Sequence, residues 1–210
     1  MENKGILIVV SGFAGTGKGT LMKELLNKYD KYALSVSATT RAPRPGEEDG
    51  VQYFFLDRTH FEDMIEKDEL LEYACYVDNY YGTPKSYVER QLQLGRDVIL
   101  EIEIQGALKI KEKFPEALLL FIMPPSAMEL KKRLVTRGTE TPEVIDKRLS
   151  RAVEEADGIE KYDYIVINDC LNECTEELHS IISAAHYTPI RQKEFINQLR
   201  SELKMFSKGE

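Results

Sequence analysis

Residues 5–10, GILIVV, form an unbroken run of branched apolar side chains. Such a run has no polar face, so it predicts a strand covered on both sides inside a parallel sheet. Directly after a glycine-rich turn, TLMKELLNKY places Leu21, Leu25 and Leu26 on one helical face. RDVILEIEI and ALLLFIM are two further buried-strand patterns, separated by the helical QGALKIKEKF. Pro124 and Pro125 stop the second, since neither extends a ladder or a helix interior. Residues 126–157 read as two helices around TRGTETP, and YDYIVIND as a last strand. Strands alternating with helices imply an α/β fold built on a doubly wound parallel sheet.

Residues 34–84 have a different texture. LSVSATTR and VQYFFL predict short strands, RTHFEDMIEKDELLEY a helix, and APRPGEEDG a turn. This is the pattern of a mixed α/β insertion into a parallel core. SYVERQLQLG follows as a helix with Gly95 just past its end. In residues 188–210, Phe195, Leu199 and Leu203 recur at helical spacing, with Ile196 and Phe206 nearby; a helix docked on the body or on another subunit is expected. Oligomeric state stays open.

Composition narrows the function. No apolar run approaches the roughly 20 residues that span a bilayer, and MENKG runs straight into a short strand pattern with no cleavage site, so a cytoplasmic protein is expected. Three cysteines, Cys75, Cys170 and Cys174, are odd in number and lack metal-ligand spacing, which predicts ordinary semi-buried thiols. A formal net charge of −8 argues against a general nucleic-acid binder, because phosphate backbones demand surplus Lys and Arg. A small anionic ligand remains compatible if cations are locally concentrated.

SGFAGTGKGT, residues 11–20, supplies that concentration. Its glycines let backbone N–H groups converge on phosphate oxygens, the next helix adds its positive end, and Lys18 reaches terminal phosphates. The motif departs from G-x-x-x-x-G-K-[ST] at Gly19, which stands where a magnesium-binding hydroxyl is usual. SVSATTRAPRPGEEDGVQY carries Arg41, Arg44 and Tyr53, two guanidiniums and a phenol able to hold a phosphate by forked, charge-assisted bonds. LLEYACYVDNYYGTP contributes Glu72, Tyr81 and Thr83; a carboxylate there matches the paired ring N–H and amine donors of guanine. LKKRLVTRGTETPEVIDKRLSR concentrates Arg133, Arg137, Arg148 and Arg151 in an otherwise acidic chain.

Taken in order, SGFAGTGKGT, SVSATTRAPRPGEEDGVQYFF, NYYGTP, LEIEIQG, FIMPPS and RGTETPEVIDKRL resemble guanylate kinase over nearly all of residues 5–186. The resemblance implies a three-layer phosphate-loop kinase core with a parallel sheet, an inserted GMP-binding subdomain and a helical lid. In this chain the core would comprise residues 5–33, 85–125 and 158–187. The GMP-binding subdomain would be 34–84, the lid 126–157 and a helical extension 188–210, all within one domain.

The resemblance also implies transfer of the γ-phosphoryl of ATP to GMP, with Mg2+ and no nucleic-acid or membrane partner. Ala14, Gly15, Thr16, Gly17, Lys18, Gly19, Thr20, Arg137 and Asn168 would hold ATP. Ser37, Arg41, Arg44, Tyr53, Glu72, Tyr81, Thr83 and Glu103 would hold GMP. Lys18, Arg41, Arg133 and Arg148 would be catalytic. Two departures stand out. Glu103 replaces the usual Asp of the LEIDxQG motif, and Gly19 removes a metal-ligating hydroxyl, so no side chain is expected to bind Mg2+ directly; Glu101 would orient metal-bound water. Adenylate kinases share the GKGT sequence, which makes another nucleoside monophosphate kinase the runner-up. A catalytically silent guanylate-kinase-like interaction domain is the alternative from another class.

Overall fold

The computed structural model describes residues 4–76, 78–136 and 141–206. The first elements are β1 (Leu7–Gly12), α1 (Lys18–Lys28) and β2 (Tyr32–Leu34). A second group follows: β3 (Ser37–Thr39), β4 (Tyr53–Phe55), α2 (Arg58–Glu66), β5 (Leu70–Tyr76) and β6 (Asn79–Pro84). The chain then runs through α3 (Lys85–Gln93), β7 (Asp97–Glu101), α4 (Ile104–Lys113), β8 (Leu118–Met123), α5 (Ala127–Thr136) and α6 (Pro142–Ala156). It ends with β9 (Tyr164–Ile167), α7 (Leu171–Ala185) and α8 (Lys193–Phe206).

Five strands form a sheet in the order β2-β7-β1-β8-β9, every adjacent pair parallel. β1 lies at its centre, which is why GILIVV needs no polar alternation: Ile8 and Val10 pack towards α1 and α7, Val9 and Leu7 towards α3 and α4. Helices on both faces make three layers, and the parallel arrangement gathers the carboxyl ends of β1 and β7 along one edge, where α/β sheets bind ligands. At the opposite end buried Asp97 accepts from the Ile6 N–H at 2.9 Å and from His186 Nε2. This ties the first strand and the end of α7 to the start of β7.

A smaller mixed sheet, β4-β3-β6-β5, is drawn from the middle of the chain with α2 packed on it through buried Phe61. Here the predicted helix over 58–73 is corrected. α2 stops at Glu66, and residues 70–76 are strand. Asp68 adopts φ 53°, its N–H bonds to the Ile65 carbonyl at 3.1 Å, and the Glu69 N–H reaches the Met64 carbonyl at 2.9 Å. This is a left-handed helix cap of the kind aspartate tolerates. Three elements lacked a strong pattern and were not foreseen: β2, β6 and α7. Cys75 and Cys170 are exposed rather than semi-buried, and Cys174 is buried in the core.

Among the described residues no helix is long and apolar enough to cross a membrane. α8 forms as the spacing predicts but buries none of its side chains on the body; Phe195, Leu199, Leu203 and Phe206 are all exposed. Truncation after Gln192 is therefore expected to shift the Tm of the remaining chain by less than about 2 °C. A thermal melt showing a much larger fall would mean that α8 contributes packing energy.

Candidate functional site

The phosphate loop starts where β1 ends. After Phe13, Ala14, Gly15 and Thr16 the chain enters α1 through Gly17, which has φ 88° and caps the helix in a left-handed conformation. A Cβ there would stand 2.7 Å from Asn168 Nδ2, so both conformation and space require glycine. Asn168, just beyond β9, donates Nδ2 to the Thr16 carbonyl at 2.7 Å. Arg133 of α5 donates to the Asn168 carbonyl at 2.9 Å and lies 3.5 Å from the Thr16 carbonyl, while its Nε donates to Glu129. The back of the loop is thus held from two other elements.

Lys18 folds over the loop, with Nζ 2.6 Å from the Gly12 carbonyl and 3.1 Å from the Phe13 carbonyl. Burial lowers its pKa below the ordinary lysine value, against the opposing pull of Glu101 and Glu155. Burial likewise raises the Glu101 carboxyl, with Lys18 opposing. Each charge is thus taken from water beside a counter-charge, the condition under which buried ions are tolerated.

In front of the loop lies a cavity of about 800 Å³, whose walls include Ala14, Lys18, Glu101 and Arg148. It merges into a second of about 1030 Å³, reached past the shared residues Ser37, Tyr53, Glu103 and Arg151. The far wall of the second cavity holds Glu72 and Tyr81. Glu72 sits at a register irregularity in β5, so that Leu71 and Glu72, adjacent in sequence, are both buried. Its Oε1 accepts from the Thr83 hydroxyl at 2.8 Å; burial raises its pKa above the ordinary 4.5, the Thr83 bond opposing and Glu103 adding repulsion.

The arginine turn lies beside Tyr53. The Arg41 guanidinium stands 5.3 Å from the Tyr53 ring centre and 5.7 Å from that of Phe55. Its NH1 and NH2 donate to the two oxygens of Glu47 at 2.9 and 3.0 Å. The side chain of Arg44 is exposed on the same turn.

The fold therefore brings Ala14, Lys18, Ser37, Tyr53, Glu72, Tyr81, Glu101, Glu103 and Arg148 around one continuous space. Thr83 stands behind Glu72, and Thr16, Gly15, Gly17, Arg133 and Asn168 form or brace the loop rather than the cavity wall. Gly19 and Thr20 are exposed on the first turn of α1. Arg137 lies outside the described residues. Glu103 is less available than its motif position implies: one oxygen caps α4 by accepting from the Gly106 N–H at 3.1 Å, and the other faces Arg151 at 3.6 Å.

Sequence reasoning missed Lys147 and Glu155, which line the cavity from α6 beside Arg148 and Arg151. The signal was present as the spacing 147, 151, 155 on one helical face. The opposite face carries Ile145, Leu149 and Ala152 against Phe13 and Phe121. Glu47 was missed as well.

With this geometry in hand, comparison with known proteins is decisive. A family profile described as guanylate kinase matches residues 4–185. The chain belongs to the guanylate kinase family. It is 54% identical over 198 residues to a guanylate kinase of Halalkalibacterium halodurans, covering 94% of this chain and 97% of the relative. It is 53% identical over 193 residues to one of Clostridioides difficile, covering 92% and 94%. The crystal structure of guanylate kinase from Anaplasma phagocytophilum superposes with a TM-score of 0.72 at 33% identity, covering 90% of this chain and 89% of that one.

Two glycines of the family's phosphate loop separate cleanly by physics. Gly17→Ala forces φ 88° on a residue with a Cβ and displaces Asn168. A loss of about 1–3 kcal/mol follows, read as a Tm drop of several degrees. At Gly19 a Cβ would meet nothing within 4 Å among the described residues. Gly19→Ala is expected to hold or raise Tm, since alanine favours the helix by up to about 1 kcal/mol. Equal Tm values for the two variants would contradict this account of the loop.

Proposed function

We propose that this protein is an ATP:GMP phosphotransferase, with ATP seated on the phosphate loop and GMP in the adjoining cavity. The observation that carries the reading is buried Glu72, steered by Thr83, at the end of a cavity that opens past Tyr53 onto Lys18. Ionised Glu72 offers two acceptors to the two adjacent donors of guanine; adenine presents a donor and an acceptor there instead. Ser37, Tyr81 and Glu103, with Thr83 behind Glu72, would surround the base, and Tyr53 on the cavity wall, with Arg41 beside it and Arg44 on the same turn, would take the GMP phosphate.

A phosphate oxygen of GMP is already a nucleophile, so the site needs no strong base. Its work is to align attacker and leaving group and to neutralise charge on the transferring phosphoryl. Lys18 and the loop N–H groups would hold the ATP end, and Arg133 and Asn168 brace that loop. Arg148, on the cavity face of α6, supplies positive charge from the lid. Closure of α6 over the cavity would keep water from competing as acceptor.

The residues fit a magnesium ion bound mainly through nucleotide oxygens and water. Among the described residues no three His, Cys, Asp or Glu side chains cluster as a metal cage. Glu101 is the carboxylate coupled to Lys18 in the cavity wall and would receive metal-bound water. When bound, Mg2+ neutralises phosphate charge.

The direct test is ADP formation from ATP with GMP, dGMP, AMP or UMP as acceptor. GMP, with dGMP also accepted, is expected to be strongly preferred over AMP and UMP; AMP preference, or ADP release independent of acceptor, would overturn the assignment. Lys18→Ala and Arg148→Ala should each lower turnover by about 100-fold or more with the fold retained; Lys18→Ala should also lower Tm by several degrees, because the Gly12 carbonyl loses its donor.

Glu72→Gln keeps one acceptor and loses the charge, so the KM for GMP should rise about 10- to 100-fold. Acidification has the same sign in the parent protein, because a protonated carboxyl cannot accept both donors. Since burial raises the Glu72 pKa, this rise in KM should begin above pH 4.5. Glu72→Gln should not show it. The same pH profile in both proteins would exclude Glu72 as the guanine reader.

A further inference from the structure

Arg41 is held in a way that the phosphate-binding role alone does not require. The sequence RPGE at residues 44–47 closes as a β-turn: the Glu47 N–H bonds to the Arg44 carbonyl at 3.0 Å, and Gly46 has φ 84°. Proline followed by a glycine of positive φ is the signature of a type II turn. This turn folds Glu47 back onto Arg41, six residues earlier in the chain.

The carboxylate then takes three donors: Arg41 NH1 at 2.9 Å, Arg41 NH2 at 3.0 Å and the Arg44 N–H at 2.7 Å. Arg41 NH1 also donates to the Ala42 carbonyl at 2.7 Å, and the guanidinium lies beside Tyr53 and Phe55. The Arg41 and Glu47 side chains are only 15% and 18% exposed. A bidentate fork fixes the guanidinium plane as well as its position, which a single contact cannot do.

We propose that Glu47 is a positioning residue for the acceptor phosphate: it locks Arg41, before GMP arrives, in the orientation that aligns the nucleophilic oxygen. The proposal rests on the GMP-kinase reading and adds a residue to it. Glu47 touches neither substrate. Its negative charge by itself weakens attraction of a phosphate to Arg41, so the competing role, an anion that occupies the phosphate's place and must be displaced, has the opposite sign in experiment.

Steady-state kinetics with GMP and ATP varied separately test this on Glu47→Ala, Glu47→Gln, Arg41→Ala and the double variant. Glu47→Ala should raise the KM for GMP and lower kcat by about 10-fold or more, in line with the sensitivity of transfer to misplacement of about 1 Å. KM for ATP should stay within about 2-fold, and Glu47→Gln, which retains one acceptor oxygen, should fall between. In an Arg41→Ala background, adding Glu47→Ala should change little, because its effect passes through that arginine. A KM for GMP that is unchanged or lower in Glu47→Gln would overturn the proposal. So would a full-sized Glu47 effect without Arg41, or equal loss of both substrates with a lowered Tm. Parent protein without GMP-dependent ADP formation would defeat the activity itself; active parent protein with an indifferent Glu47→Ala defeats only the positioning role.

Discussion

The carbonyl of Thr16 is the point on which the phosphate loop depends. A loop that turns its N–H groups outward to an anion turns carbonyls inward, where each must find a donor or incur a desolvation cost of about 1–3 kcal/mol. Asn168 supplies the donor to Thr16, Lys18 donates to the Gly12 and Phe13 carbonyls, and the Thr16 hydroxyl donates to Phe13 as well. Because Asn168 is itself held by Arg133, the loop, the end of β9 and α5 form one braced unit. The side chains named for ATP by family likeness therefore have a structural duty that exists without ATP. The same brace explains why glycine stands at position 17 while position 19 carries no such restriction.

Charge around the cavity follows from a chain that is acidic overall. Lys18, Lys147, Arg148 and Arg151 share the donor-side wall with Glu101, Glu103 and Glu155. Such interleaving lets cations be taken from water without losing their positive form. Arg151 illustrates it, lying 3.0 Å from Glu155 on its own helix and 3.6 Å from Glu103 across on the core. That second pair couples α6 to the start of α4, which Glu103 caps. The second cavity is built differently: Glu72 has a hydroxyl donor from Thr83 while burial raises its pKa, so two further donors from a ligand would favour the ionised form that accepts both.

The core sheet was legible because β1, β7 and β8 are buried on both faces and so spell continuous apolar runs. The segment around residues 66–73 was not. Its apolar spacing suits a helix, and only the left-handed Asp68 cap and the pairing of β5 with β6 decide for strand. β2 is only three residues long and β6, NYYGTP, has no apolar run; both take their conformation from neighbours already in place, so local pattern carries little of the information. At the site, the motif residues that line the cavity were named from the sequence, whereas the roles of residues that act on other protein groups were not. Glu47 sits in RPGEEDG, where a charged turn is indistinguishable from solvated surface until the type II turn brings the carboxylate back to Arg41. The bracing role of Arg133 is invisible for the same reason: its partners at Thr16 and Asn168 are 117 and 35 residues away.

Gly19 shows how the absence of a side chain is itself informative. Among the described residues nothing lies within 4 Å of the Cβ it lacks, and its φ is not in the positive region that favours glycine. Inside a helix that choice costs roughly 1 kcal/mol relative to alanine. Packing and backbone strain, which fix Gly17, are therefore both excluded as reasons here. What remains is the outward side of the first helical turn, where the unpaired N–H groups of α1 point. A bare position there leaves those donors open to the closest approach of an anion, and it moves the nearest hydroxyl to Thr20, one residue further round the helix.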